Sequence, residues 1–255
     1  MGSSRPIEPS RHGLRALVTR PRAEAAELAE SLAARGIEAI VGPLLEIRYR
    51  DAAAPDLSGI QAILCTSANG VRALARLSDE RGVPVLAVGE ATAARARAAG
   101  FAQVESAGGN VAELARLVRR RLRPAAGRLL HIAGSDVAGD LAGELRDHGY
   151  RLERAVLYEA CPVPGLSAAT ARALGAGIID FALFFSPRTA AIFARLVGQA
   201  GLADALCRLA AVSISAAADQ PLSAFHFRER YVAQRPDQEG LLAVLDRVVK
   251  ERRRA

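Results

Sequence analysis

Two apolar segments of the sequence each run into a short turn that contains a serine. Residues 60–65 precede Ser67, and residues 181–185 precede Ser186. In open α/β sheets the carboxyl ends of strands face the ligand, and turns there present hydroxyl groups and backbone N–H donors. We therefore expect Ser67 and Ser186 to lie near a ligand. Each serine also has the position of an ordinary helix N-cap, and one side chain can have both roles.

The other residue types exclude several kinds of reaction centre. The four histidines form no HxxxH or HExxH pair and the three cysteines form no CxxC pair, so we expect no metal site. The segment 89–92 lacks the GxGxxG fingerprint of dinucleotide-binding proteins. We interpret His131 and His226 as structural residues, and Asp136 and Asp140 as a helix-capping cluster.

The net charge indicates an anionic ligand. Lys and Arg number 34 and Asp and Glu number 27, which leaves +7 at neutral pH. A positive surface attracts polyanions such as nucleic acids or small polycarboxylates. The basic run at 116–123 has apolar residues on one helical face and no interleaved aromatic residues for base stacking. We therefore expect that run to be a solvated helix face and the protein not to bind nucleic acid.

Cysteine usage and hydropathy predict a cytoplasmic protein. The number of cysteines is odd, which argues against a disulfide framework. No apolar run approaches the ~20 residues that span a bilayer, so we expect no membrane association. Residues 1–13 are polar and lack the apolar stretch of a signal peptide, so we predict a disordered leader there.

Short apolar strands alternate with Ala-rich amphipathic helices, which predicts an α/β fold with doubly wound parallel sheets covered on both faces. We expect strands at 14–19, 39–41, 60–65, 84–88, 129–133, 181–185, 209–214 and 231–233. We expect helices at 22–35, 68–78, 89–100, 111–122, 137–148, 189–197, 216–219 and 238–250.

The order of these elements repeats. A strand with a Ser turn, a strand with a Gly or Ser turn, a polar loop and a helix occur twice, which predicts two similar domains from a duplication. Residues 43–49 and 154–160 do not fit the alternation and are predicted to be extended. Both segments lie between helix-rich blocks, so they could connect the domains and pair with each other.

Taken together, these residues resemble the uroporphyrinogen-III synthase family over positions 14 to 245. The motifs, in chain order, are Leu17-Val18-Thr19-Arg20-Pro21, Pro43-Leu44-Leu45-Glu46-Ile47, Thr66-Ser67-Ala68-Asn69-Gly70-Val71, Val88-Gly89-Glu90-Ala91-Thr92-Ala93, Val156-Leu157-Tyr158-Glu159 and Phe184-Phe185-Ser186-Pro187. The resemblance implies a discontinuous first domain, 14–42 plus 162–255, and a second domain, 43–161, that includes the linkers. It also implies a two-stranded ribbon joining the domains and a cleft between them, with Ser67 and Ser186 on opposite sides.

The resemblance implies a reaction as well. The family converts hydroxymethylbilane, a linear tetrapyrrole with many carboxylates, into uroporphyrinogen III, with loss of water and inversion of ring D. It implies a monomeric lyase that needs no metal and no cofactor. Tyr158 would help the hydroxyl group leave, although it could instead simply pack between the domains. The candidate substrate-binding residues are Arg20, Ser67, Asn69, Gly89, Thr92, Gly134, Ser135, Ser186, Arg188 and Ser215.

Some of these residues have other interpretations. Arg20 could form an ion pair, and Asn69 could be a turn residue only. The sequence also departs from the family pattern at 212–217, where we match Ser213 to Gly89 and Ala216 to Thr92, with Ser215 as a substitute hydroxyl. This altered turn keeps open a different function, a non-catalytic two-domain module that binds a small polyanion.

Overall fold

The computed structural model describes residues 13–136 and 139–252. The chain divides into two compact units. Unit one comprises the residues up to Glu46 together with those from Pro162 onward, and unit two is Ile47–Cys161. The predicted leader lies outside the described residues except for Gly13, which directly precedes the first strand.

The described residues form strands and helices that alternate along most of the chain. The strands are β1 Leu14–Val18, β2 Ile37–Val41, β3 Leu45–Tyr49, β4 Ile60–Cys65, β5 Val85–Ala87, β6 Val104–Ser106, β7 Arg128–Gly134, β8 Leu152–Pro162, β9 Phe181–Phe184, β10 Ala210–Ser213 and β11 Glu229–Val232. The helices are α1 Arg22–Ala33, α2 Ala68–Leu77, α3 Glu90–Ala98, α4 Val111–Arg121, α5 Leu141–Arg146, α6 Ala168–Gly175, α7 Pro187–Gln199, α8 Ala216–Asp219 and α9 Gln238–Arg252.

Unit one is built on a parallel sheet with the strand order β11-β10-β9-β1-β2. Buried residues of α1 and α9, such as Leu28 and Leu245, pack against Val18, Leu183 and Val212 of the central strands. Strands that are apolar along their whole length are typical of a sheet covered on both faces. The Phe184 and Phe193 rings add an edge-to-face contact between β9 and α7.

Unit two is built on a sheet with the strand order β3-β8-β7-β4-β5-β6. The strands from β8 to β6 are parallel. β3 runs antiparallel to β8, since Arg50 N–H donates to the Leu157 carbonyl and Val163 N–H to that of Leu44. The two predicted extended segments therefore form a two-stranded pairing, and the division between the units falls within it or at its end.

Apart from the additional β3 in unit two, the two sheets have equivalent strand orders, in agreement with the two similar domains that the sequence repeat predicted. β4 and β9 are central, and the strands that follow each of them, β5 and β6 or β10 and β11, extend to one side. The other side holds β7 and β8 in unit two and β1 and β2 in unit one. The predicted α/β fold class is thereby confirmed.

The largest differences from the sequence prediction concern β6, α6 and α5. β6 and α6 were not predicted; β6 has only three residues and includes the polar Glu105 and Ser106. α5 begins at Leu141 rather than 137, because the Asp140 side chain accepts a hydrogen bond from Gly143 N–H and caps the helix there. Residues 137 and 138 lie outside the described residues. In the described part of the chain, no helix has both the length and the apolar character needed to cross a bilayer.

Candidate functional site

The strand order of unit two places a crevice at the carboxyl ends of β4 and β7. The chain continues from β4 to β5 on one side of β4, whereas β7 lies on its other side. The strand order of the sheet therefore reverses at β4, and open α/β sheets bind ligands at such a position. A cavity of about 420 Å³ lies at this edge, within the range of small-molecule sites. It is lined by Thr66, Ser67, Val88, Gly109, Asn110, Val111, Asp136 and Tyr158.

Helix N-termini border this cavity. Ser67 caps α2, with its hydroxyl accepting from Asn69 N–H at 3.1 Å. Asn110 caps α4, with its side-chain oxygen accepting from Glu113 N–H at 2.9 Å. α3 begins after Gly89, next to Val88 of the cavity wall. These three caps carry no charge, so the backbone N–H groups at the helix ends and the helix dipoles favour an anion.

Tyr158 lies in the cavity wall and is only 7% exposed. The pairing of β7 with β8 shifts register between Ala133 and Gly134, and Gly134 is thereby paired with Tyr158. Such an irregularity re-aims side chains. A Cβ on Gly134 would lie 2.9 Å from Cε2 of the Tyr158 ring. Gly134 therefore makes room for the ring, while Ser135 N–H donates to the Tyr158 carbonyl at 3.0 Å.

The other predicted residues of unit two lie close to the cavity but outside its lining. Asn69 is buried in the first turn of α2, and its side-chain oxygen accepts from Arg72 at 3.0 Å. Thr92 is buried in the first turn of α3. Gly89 has extended backbone, and a Cβ there would make only ordinary contacts with Gly109.

In unit one, the strands at the reversal of the sheet order are β1 and β9. Ser186 follows β9 and caps α7, accepting from Thr189 N–H at 3.2 Å. Arg20 follows β1 and pairs with Glu24 at 2.8 Å. Its guanidinium also donates to Gln238 at 3.0 Å and lies 4.6 Å from the centre of the Phe185 ring. The ion pair that the sequence left open for Arg20 is thus present. Arg188 lies in the first turn of α7, half-buried.

The backbone corrects our match between the turn at 89–92 and the altered turn at 212–217. Val88 N–H donates to the carbonyl of the last residue of β4, and Ile214 N–H donates to the carbonyl of the last residue of β9. The next residue in each turn, Gly89 or Ser215, is the N-cap of the following helix. Ser215 therefore corresponds to Gly89, and the match of Ser213 to that glycine was wrong by two positions.

The same shift applies to Thr92. Thr92 N–H and Ala218 N–H both donate to their helix caps at 3.1 Å, so Ala218, and not Ala216, corresponds to Thr92. Ser213 is fully buried in β10 with its hydroxyl 3.4 Å from Asp219. Ser215 presents its hydroxyl to Ala218 N–H at 3.3 Å, as a helix cap does.

Several residues of the site were missed by sequence reasoning. Thr66, which adjoins Ser67, and Asn110, in the loop before α4, both line the cavity and were not among the predicted site residues. Thr66 Oγ1 lies 3.1 Å from Nε2 of His131, which is 4% exposed. Burial, with a smaller effect of the Arg154 charge, lowers the pKa of His131 to about 4, so the ring is neutral at pH 7. Only Asn110, as a cap before an apolar helix, had a local signal.

The Cys65 thiol, at the end of β4, does not supply a nucleophile to this site. Burial raises the pKa of the Cys65 thiol to about 12, so it stays protonated. Among the described residues, no group of three or more His, Cys, Asp or Glu side chains is arranged to hold a metal ion.

Comparisons with known proteins agree with this architecture. The family model described as uroporphyrinogen-III synthase HemD matches residues 26–243. The chain is similar to the crystal structure of uroporphyrinogen-III synthetase from Helicobacter pylori, with 19% sequence identity and a TM-score of 0.61. The alignment covers 91% of this chain and 97% of that chain. A mutant uroporphyrinogen III synthase from the extremely thermophilic bacterium Thermus thermophilus is 20% identical, covering 93% and 99%, with a TM-score of 0.52. At these identities the two structures show a shared fold. No curated protein matches the chain.

Proposed function

The chain belongs to the uroporphyrinogen-III synthase family, and we propose on this basis that it converts hydroxymethylbilane into uroporphyrinogen III, with loss of water and inversion of ring D. The family match over residues 26–243 carries this conclusion. It favours a synthase over the non-catalytic polyanion-binding module, and the shared fold of the two solved synthases supports it.

We propose that the substrate supplies the electrophile and the protein supplies orientation. The terminal hydroxyl leaves as water, which gives an azafulvene. For the inverted product, the substituted carbon of ring D attacks the azafulvene and forms a spiro-pyrrolenine. The bond from that carbon to its original methylene bridge then breaks, the bridge carbon bonds to the unsubstituted α-carbon of ring D, and this carbon loses its proton as the ring regains aromaticity. Uncatalysed closure gives the uninverted isomer, so the enzyme must bring the substituted carbon of ring D to the reacting carbon. This reaction needs no metal, no cofactor and no protein nucleophile.

Carboxylates of the substrate would bind at the cavity of unit two. The first turns of α2 and α4, capped by Ser67 and Asn110, direct backbone N–H groups and positive dipole ends toward an anion. Asp136 contributes a carboxylate to the wall of this cavity. Because like charges repel, the bound carboxylates of the substrate would lie nearer to the helix caps than to Asp136. The corresponding caps of unit one, Ser186 and Ser215, would bind further carboxylates together with Arg188.

Tyr158 is the proposed catalytic residue. Its ring is held in the cavity wall by contact with Gly134. A phenol in this position can donate a hydrogen bond or a proton to the leaving hydroxyl group. The same side chain, being almost fully buried, excludes water from that part of the wall.

The decisive experiment supplies freshly prepared hydroxymethylbilane and resolves the porphyrin isomers after oxidation. We expect an excess of the type III isomer over the spontaneous type I isomer, in proportion to protein concentration. Heat-denatured protein is the control. A product that remains type I at high protein concentration contradicts the proposed function.

We also propose that the protein acts as a cytoplasmic monomer that binds neither nucleic acid nor membranes. The free thiols of Cys65, Cys161 and Cys207 support a reducing compartment. The monomer follows from the family resemblance, and light scattering at several protein concentrations tests it. A mass that rises with concentration would contradict it.

A further inference from the structure

We propose that His131 is a positioning residue, which holds the hydroxyl group of Thr66 in the wall of the unit-two cavity so that this hydroxyl can bind the substrate. The inference rests on the proposed function. It gives a role to His131, which the sequence analysis interpreted as structural, and to Thr66, which belongs to a family motif but was not among the candidate substrate-binding residues.

The geometry comes from neighbouring strands. β4 and β7 pair in parallel, with Leu64 opposite His131, and Thr66 follows the end of β4. Thr66 Oγ1 lies 3.1 Å from Nε2 of His131. The imidazole is almost fully buried whereas Thr66 is half-buried and lines the cavity. Packing therefore fixes the orientation of the His131 ring, and the hydrogen bond to the ring fixes the orientation of the Thr66 hydroxyl.

A neutral imidazole suits this role. It has one donor and one acceptor nitrogen, so it can bond to a hydroxyl in either direction. In both cases the hydroxyl keeps its remaining hydrogen-bonding capacity for a ligand in the cavity. Burial and the charge of Arg154, on the strand beside His131, both disfavour protonation of the ring.

The position argues against a role in packing alone. The core cluster on this side of the sheet consists of residues such as Ala62, Leu64 and Leu129, which are apolar. Burying an imidazole in such a cluster is unfavourable unless the ring is hydrogen-bonded. Its partner here is a hydroxyl of the cavity wall rather than a group of the core.

The test is a double-mutant cycle on the formation of the type III isomer. We expect His131→Leu and Thr66→Val each to lower kcat/KM about tenfold, the scale of one lost hydrogen bond in a site. The double variant should be no worse than either single variant, because both remove the same interaction. His131→Gln, whose amide can bond to Thr66, should retain most of the activity.

Matched controls separate positioning from stability. His148→Leu replaces an exposed histidine, and Thr170→Val replaces a fully buried threonine of unit one. Both should keep the wild-type kcat/KM. Urea unfolding of every variant shows whether a loss of activity is a loss of folding. Thr66→Val is nearly isosteric, so we expect its unfolding free energy to change little.

Three outcomes overturn the inference. Losses that add in the double variant would show that the two residues act independently. A destabilised His131→Leu protein with unchanged kcat/KM would reduce His131 to a structural residue. If the wild-type protein itself forms no excess of the type III isomer, the proposed function fails first and the inference fails with it.

Discussion

Tyr158 reaches the cavity wall through features of two neighbouring strands. The register shift between β7 and β8 pairs it with Gly134, and the missing side chain of that glycine leaves space for the ring. Neither feature is visible in the motif Val156-Leu157-Tyr158-Glu159 alone. The catalytic role proposed for Tyr158 therefore depends on a residue of the preceding strand, well outside its own motif.

Removing the phenol oxygen tests the role of Tyr158. We expect Tyr158→Phe to lower kcat by roughly 10²-fold or more, as loss of general acid catalysis does, while the urea midpoint changes little. Tyr49→Phe, a tyrosine of β3 outside the cavity lining, should keep the wild-type turnover. Wild-type turnover in Tyr158→Phe would remove the residue from the mechanism.

Filling the space beside the ring tests the same wall. In Gly134→Ala the new methyl would lie 2.9 Å from Cε2 and 3.0 Å from Cζ of Tyr158, so the ring must move. We expect a fall in turnover and a loss of about 1–3 kcal/mol in unfolding free energy, as overpacking produces.

Gly198→Ala is the matched control for this glycine. A Cβ there meets nothing within 4 Å in α7, so the variant should gain about 0.5–1 kcal/mol and keep its turnover. An active and stable Gly134→Ala protein would contradict the wall described for Tyr158.

The pKa of His131 predicts a pH dependence of stability. The folded-state pKa is about 4 and the ordinary value is 6.5, so between these values the unfolded chain binds the proton and the folded protein does not. Stability is therefore lost as the pH falls from about 6.5 to about 4, by up to about 3 kcal/mol.

The comparison with His131→Gln isolates this effect from the carboxylates. Urea unfolding at pH 7.5 and pH 4.5 should show wild-type protein losing about 2–3 kcal/mol more than the variant. Equal losses in the two proteins would show that His131 titrates normally in the folded state.

At the scale of elements, the N-termini of the helices decide which edge of a sheet can bind anions. The caps that border the unit-two cavity are neutral, whereas α9 in unit one begins beside Asp237, which accepts from Gly240 N–H at 2.7 Å. The short α8 ends at Asp219 and is followed by a 3-10 turn that contains Pro221. The equivalent edge of unit one thus has a shorter helix and an acidic cap.

Changing the charge of one cap tests the anion site. Asn110→Asp retains a good N-cap but adds a negative charge to the cavity lining. We expect KM for hydroxymethylbilane to rise about tenfold, with unfolding free energy unchanged within about 0.5 kcal/mol. Asn110→Ser, a neutral cap at the same position, should keep KM near the wild-type value. An unchanged KM in Asn110→Asp would place the carboxylates elsewhere.

At the scale of the whole molecule, the net charge of +7 bears on substrate capture. A polyanionic substrate is attracted by the summed field, which salt screens. We expect KM to rise steadily with added sodium chloride while kcat stays constant. A KM independent of salt would show that the overall charge does not assist binding.

The repeated strand order also belongs to this scale. Each sheet has a central strand that ends in a Ser turn, and unit one completes its sheet with β1 and β2 from the other end of the chain. Sequence repetition predicted two similar sheets. The placement of β1 and β2 beside β9 could be expected only from the family resemblance, since periodicity carries no information on strand neighbours.

The sequence by itself determined the alternation of strands and helices, the Ser67 and Ser186 turns and the family, because hydrophobic periodicity and capping residues act over a few neighbouring positions. Tertiary structure alone decided that Tyr158 packs on Gly134, that Thr66 meets His131 65 positions away, and that Ser215 corresponds to Gly89. The contacts of Tyr158 with Gly134 and of Thr66 with His131 depend on the register between paired strands. A shift of one residue would turn each side chain to the opposite face of its sheet.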